Sequence, residues 1–171
     1  RIETYGLSGS FVFNTLLDQD WLSFGKLRVN YAEAPIFPGT YATSPTYGSS
    51  TAYGSLAALN VPNTLANPNL TGGMRTELEY GVEMKFMKNR LGLDFTYFDR
   101  EDSNLPVSIT AAGGTGYTGL SVNSKITSTA GVEAMISGTP ILTDDIRWDV
   151  SFNFGRFKKT VDFIYEGIER N

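Results

Sequence analysis

The chain has 171 residues, no cysteine, no histidine, 41% hydrophobic residues and a formal net charge of −4. That length suits one domain with a core, and the missing thiols and imidazoles exclude disulfides, Cys nucleophiles, His-based triads and thiolate or imidazole metal sites. With 14 Lys and Arg against 18 Asp and Glu, no basic footprint for a nucleic-acid partner exists, and only paired-carboxylate chemistry stays open to an enzyme.

The opening RIETYGLSGS lacks the basic start and apolar stretch of a signal peptide and reads as a piece cut from something larger. No run of 18 strongly apolar residues predicts a membrane-crossing helix. Aromatics at 13%, 18 glycines and the lack of a 3.6-residue period predict an almost all-β chain. Six segments alternate with period two, at about 7–14, 22–33, 75–87, 90–102, 129–138 and 146–156.

The first two strands lead into a long connection, 34–74, which has no charged residue, five of the seven prolines, and Phe37, Tyr41, Tyr47 and Tyr53. In 75–87 one face holds Leu78, Tyr80, Val82, Met84 and Phe86, and the other holds Glu77, Glu79, Gly81, Glu83 and Lys85. A two-residue turn at Lys88-Asn89 would set Met84 against Leu93, Val82 against Phe95 and Tyr80 against Tyr97 in the strand 90–102, all apolar or aromatic pairs. The same register sets Glu83 against Asp94, a like-charge pair that needs a cation, for which an arginine of a plug is one source.

Connection 103–128 carries Gly113, Gly114, Gly116 and Gly119 around Tyr117, the composition of a mobile tip. Strand 129–138 splits Val132, Ala134 and Ile136 from Gly131, Glu133 and Ser137. A short turn at 139–145 precedes WDVSFNFG, where Trp148, Val150, Phe152 and Phe154 alternate with Asp149, Ser151 and Asn153, and Arg147 joins the polar set.

Short connections (88–89, 139–145) therefore alternate with long ones (34–74, 103–128, about 41 and 26 residues). Compact soluble domains seldom carry such loops, whereas outer-membrane barrels pair short periplasmic turns with long extracellular loops. The expected fold is an all-β, antiparallel transmembrane barrel segment. Val82, Met84, Leu93, Phe95, Trp148, Val150 and Phe152 would face lipid, with Trp148 in an interface girdle. Glu79, Glu83, Asp94, Glu133, Arg147 and Asp149 would line a wet lumen. On this assignment Phe95→Arg near mid-membrane costs ~2–4 kcal/mol and Thr96→Arg far less. A soluble β-sandwich binding module has the same period, with the apolar face in a protein core. Six strands cannot close such a barrel, so the remaining strands are expected from the rest of a parent protein.

The blocks WLSFGKLRVNYAEA (21–34), NPNL (67–70), ELEYGVEMKFMKNRLGLDFTYFDRED (77–102), GVEAMISGTPI (131–141) and WDVSFNFGRFKKTV (148–161) resemble, in order and spacing, the SusC/RagA type of TonB-dependent outer-membrane transporter of Bacteroidetes. The resemblance implies a 22-stranded barrel in a Gram-negative outer membrane, with this chain a wall segment from its C-terminal half. It also implies a plug and a TonB box, neither of which lies in these residues, and a SusD-like surface lipoprotein. The implied function is TonB-dependent uptake of oligosaccharides or peptides, without a cofactor, metal or catalytic residue in this chain. A passive porin shares the barrel without plug or TonB box.

Aromatic rings stack on sugar faces or peptide side chains, so Phe37, Tyr41, Tyr47, Tyr53 and Tyr117 are candidates for contact with substrate or lipoprotein. Neighbouring loops are the alternative partners. Arg156, Lys158 and Lys159, at the outer rim of the last strand, are candidates for the phosphates of lipopolysaccharide. A glycosidase reading of Glu79, Glu83 and Asp94 is disfavoured, because a wet lumen explains them.

Overall fold

The computed structural model describes residues 3–17 and 19–165. Its elements are β1 (Gly6–Val12), a helical turn α1 (Asn14–Leu17), β2 (Leu22–Ile36), β3 (Gly48–Tyr53), β4 (Leu56–Asn60), β5 (Thr64–Leu65), β6 (Gly73–Phe86), β7 (Leu91–Thr110), β8 (Gly119–Leu142) and β9 (Arg147–Phe163). The main sheet runs β1-β2-β6-β7-β8 with β9 also on β8, so its six main strands form a meander of chain neighbours. β1 pairs with β2 antiparallel from Gly6 opposite Ala32 to Val12 opposite Lys26. The two residues of β5 add a parallel pair to β8, Thr64 with Gly119 and Leu65 with Leu120.

Three connections differ from expectation. The loop placed at 103–128 shrinks to 111–118, because β7 runs on to Thr110 and β8 starts at Gly119. Leu105, Val107 and Ile109 do alternate with polar neighbours, but Pro106 and the Ser/Thr-rich run before Ser128 disguise the strand. Within 34–74, β3 and β4 form their own hairpin, from Gly48 opposite Asn60 to Tyr53 opposite Leu56, and Gly54 takes the left-handed φ of 62° that its turn requires. The turn expected at 139–145 narrows to 143–146, closed by Thr143 N donating to Ile146 O at 2.8 Å.

The turn at Lys88-Asn89 has φ of 56° and 67° at those residues, the sign that a type I′ hairpin needs. Arg90 N donates to Met87 O at 3.2 Å. The side-chain pairs Glu77–Arg100 and Arg75–Asp102 join positions which that turn sets opposite one another.

The chain divides into two units. The first comprises residues up to Ala34, Thr76–Glu101 and Ser128–Thr160. In it, long side chains from β2, β6 and β7 cover one face of the sheet, and the other face is bare apolar surface. The second comprises Pro35–Arg75, Asp102–Thr127 and the residues from Val161. Side-chain amides organise it: Asn123 Oδ1 accepts from Thr71 N at 2.7 Å, while its Nδ2 donates to Thr71 O and Asn104 O at 2.8 and 2.9 Å. Asn104, with φ of 55°, donates in turn to Thr71 Oγ1 and Gly72 O. The NPNL block is a turn of this unit, with Asn67 Oδ1 accepting from Asn69 N and Asn67 O from Leu70 N. Leu70 and, in the first unit, Leu22 are the buried large apolar residues among those described.

Candidate functional site

Strand alternation brings the expected polar residues to one face. At its centre is Arg28 of β2, which the sequence pattern alone did not single out. Its Nη1 and Nη2 donate to both carboxylate oxygens of Asp94 at 2.9 and 2.8 Å, and Nη2 also donates to Thr96 Oγ1 at 2.7 Å. Its Nε lies 3.6 Å from Glu79. Arg28 sits on β2 and Asp94 on β7, with β6 between them, so the guanidinium crosses a whole strand. Gly81 makes this possible, since a Cβ there would overlap the Arg28 Nε and approach its Cγ and Cζ to 2.7 Å. Close passage of another group is the usual reason for glycine inside a strand.

The like-charge pair Glu83 and Asp94 is thus neutralised within this chain. Arg28 serves Asp94, and Lys26 and Lys85 reach Glu83 at 3.8 and 3.4 Å. Further along, Arg100 Nε donates to Glu77 at 2.5 Å, and Arg75 makes two bonds to the buried Asp102 at 2.7 and 3.0 Å. Arg147 and Asp149 pair at 2.8 Å, and Thr139 Oγ1 donates to Asp149 at 2.6 Å. Glu133 lines a depression together with Arg28, Asp94, Thr96 and Asn153. Ion pairs and hydrogen bonds of this density belong to a face in contact with water or polar protein.

The opposite face carries the expected apolar set. Phe95, Trp148, Val150 and Phe152 are exposed, as are Leu27 and Val29 of β2 on the same face, while Val82, Met84 and Leu93 are half-buried among neighbours. Trp21 adds an aromatic the pattern did not assign: it stacks on Phe86 at 5.7 Å, beside the Lys88-Asn89 turn, as its Nε1 donates to Gln19.

Of the loop aromatics, Phe37, Tyr41, Tyr47 and Tyr53 are exposed and spread along the long connection, whereas Tyr117 is half-buried. They do not converge on one pocket. The basic trio also separates. β9 continues through Phe163 with its alternation intact, so Arg156 and Lys158 share the face of Phe152 and Phe154, and Lys159 lies on the other. The position of Phe157 supports this parity: its Cβ and the ring of Phe98 both lie 2.7 Å from where a Cβ of Gly131 would stand, on the polar face.

An antiparallel meander with one ion-paired face and one bare apolar face is a segment of transmembrane β-barrel wall. The sequence matches no protein-family model and no curated protein. In fold it is similar to the RagAB peptide transporter (TM-score 0.80, 18% identity, 96% of this chain and 18% of that one) and to the RagAB peptide importer in its open-open state (TM-score 0.79, same identity and coverage). The siderophore receptor PirA from Pseudomonas aeruginosa is similar at a TM-score of 0.60 and 20% identity, over 94% of this chain and 28% of that one. The chain therefore spans under a third of each of these proteins. The resemblance of its blocks to SusC/RagA-type barrels and the likeness of its fold to RagAB agree.

Proposed function

We propose that this chain is part of the wall of a TonB-dependent outer-membrane importer, which takes up peptides beneath a SusD-like surface lipoprotein. The observation that carries the reading is the division of one continuous sheet into two solvents. Arg28, Asp94, Glu79 and Glu83 satisfy one another on the side of a polar lumen, and Phe95, Val150 and Phe152 stand bare on the side of lipid. The likeness to the RagAB peptide transporter supports peptide as cargo. Oligosaccharide is the second reading, favoured by the uncharged loop with exposed Tyr41, Tyr47 and Tyr53.

In this reading the chain performs no bond chemistry. It supplies a rigid wall, the lumen charges that meet a plug, and loop aromatics that touch cargo or lipoprotein. The energy reaches the barrel through TonB and the plug.

The test uses the full-length parent polypeptide in its native outer membrane. It should migrate differently on a denaturing gel with and without boiling, and cells carrying it should accumulate labelled peptide only while TonB is functional. A heat-insensitive, water-soluble species would sink the barrel reading, and TonB-independent uptake would make the protein a passive porin. Accumulation of labelled oligosaccharide but not peptide would move the cargo to the second reading.

A further inference from the structure

We infer that Arg156 and Lys158, together with Tyr97, form an outer-leaflet site for the phosphate groups of a glycolipid of the lipid A class, whose acyl chains lie along the apolar stripe of β9. The inference rests on the reading of this sheet as outer-membrane wall.

The first observation is an imbalance of partners. Arg28, Arg75, Arg100 and Arg147 bind carboxylates, and Arg90 donates to the carbonyls of Thr139 and Pro140. Among the described residues Arg156 is the arginine without any such partner, and Lys158 has none either. Both are exposed on the apolar face, two positions apart. Near the interface a cation costs little because its head reaches water, and a phosphate there adds charge-assisted hydrogen bonds to it.

The second observation is shape. Tyr97, Ala130, Val132, Arg156 and Lys158 border one shallow depression on that face. The small Ala130 and Val132 leave room between the phenol and the two long basic side chains. A guanidinium fork, an ammonium and a phenolic hydroxyl supply converging donors, a combination suited to a phosphate monoester.

The third observation is depth. From Trp148 to Arg156, β9 advances roughly 26 Å at ~3.3 Å per residue. At the usual strand tilt this is about 20 Å along the membrane normal, close to the ~25 Å apolar band of such barrels. A Trp148 in one interface therefore places Arg156 at the other. Val150, Phe152 and Phe154 fill the distance between. The short turns mark the Trp148 end as periplasmic, so the basic pair meets the outer leaflet, whose glycolipid carries phosphates directly above its acyl chains. Asp99 and Glu101 share this face two strands from β9, and among the described residues neither forms an ion pair with Arg156 or Lys158.

The test is native mass spectrometry of the delipidated full-length protein with three probes: bis-phosphorylated lipid A, the same lipid stripped of phosphate, and phosphatidylglycerol. Lipid A should bind about tenfold more tightly than its dephosphorylated form, and Arg156→Gln or Lys158→Gln should each erase about that factor. Arg156→Lys should retain part of the preference, and Lys159→Gln, on the opposite face, should leave it intact. The inference is overturned if the double Gln variant keeps the preference, if Lys159→Gln loses as much, or if phosphatidylglycerol binds as tightly as lipid A. Each variant is first checked for its heat-dependent gel shift. Loss of that shift in the wild type would overturn the wall reading itself, whereas a normal shift with no preference for lipid A overturns this site alone.

Discussion

Arg28 sets the energetics of the polar face. It is half-buried, it satisfies Asp94 through two oxygens, and it reaches Asp94 only because Gly81 leaves its path open. Hydrogen bonds to charged groups contribute about 1.5–3 kcal/mol each when a partner is removed. Arg28→Met in the full-length protein should therefore lower unfolding stability by roughly 2 kcal/mol, as read from urea titration in detergent. Asp94→Leu should do the same, and the double variant should cost less than the two single losses together, since no charge is then left alone. Gly81→Val should reproduce the loss of Arg28→Met without touching either charge, because the valine occupies the guanidinium's path. Strict additivity of Arg28→Met and Asp94→Leu would contradict the pairing. The sequence shows Glu83 opposite Asp94 and so the need for a cation, but not its source. Arg28 lies 66 positions away, and only the sheet order β2-β6-β7 brings it across.

At the scale of the element, period two carries most of what is legible. It locates the six main strands and assigns their faces, because a strand's side-chain direction is fixed by parity alone. It falls short where the polar face is rich in Ser, Thr and Asn, as at Ser121, Asn123 and Thr127 of β8, or where Pro106 breaks the pattern of β7, so both strands extend further than the pattern indicates. Parity also separates Lys159 from Arg156 and Lys158 once β9 is seen to run to Phe163. The same rule yields a face-specific test, although Thr96 is not the polar position to use. It is 9% exposed and accepts a hydrogen bond from Arg28, so an arginine there would put two cations together. Ser151, exposed on β9, is the better control. In the bilayer Phe152→Arg should cost about 2–4 kcal/mol and Ser151→Arg under about 1 kcal/mol, measured by reversible unfolding of the full-length barrel into urea from lipid vesicles. Equal costs would remove the basis for the face assignment.

At the scale of the whole molecule, the amount of uncovered surface decides between a membrane wall and a soluble module. The chain exposes 12450 Å², whereas a folded soluble monomer of 18.7 kDa is expected to expose about 8,300 Å². The exposed surface includes a bare apolar face, on which Leu27, Val29, Phe95, Val150, Phe152 and Phe154 stand uncovered among the described residues. A β-sandwich places that face against a partner sheet, so its sequence folds alone. A barrel wall leaves its apolar face to lipid, and the outer edges of β1 and β9, unpaired among the described residues, need neighbouring strands because hydrocarbon cannot satisfy their backbone groups. The 171 residues expressed by themselves should therefore fail to give a monomer in water. Sedimentation velocity should show aggregates in buffer, and detergent should disperse them without producing a cooperative unfolding transition, since the missing strand pairs are not restored. A monodisperse monomer in buffer that unfolds in one sharp step would mean that the bare face finds cover within this chain, and the alternation in WDVSFNFG would then serve a core and not a membrane.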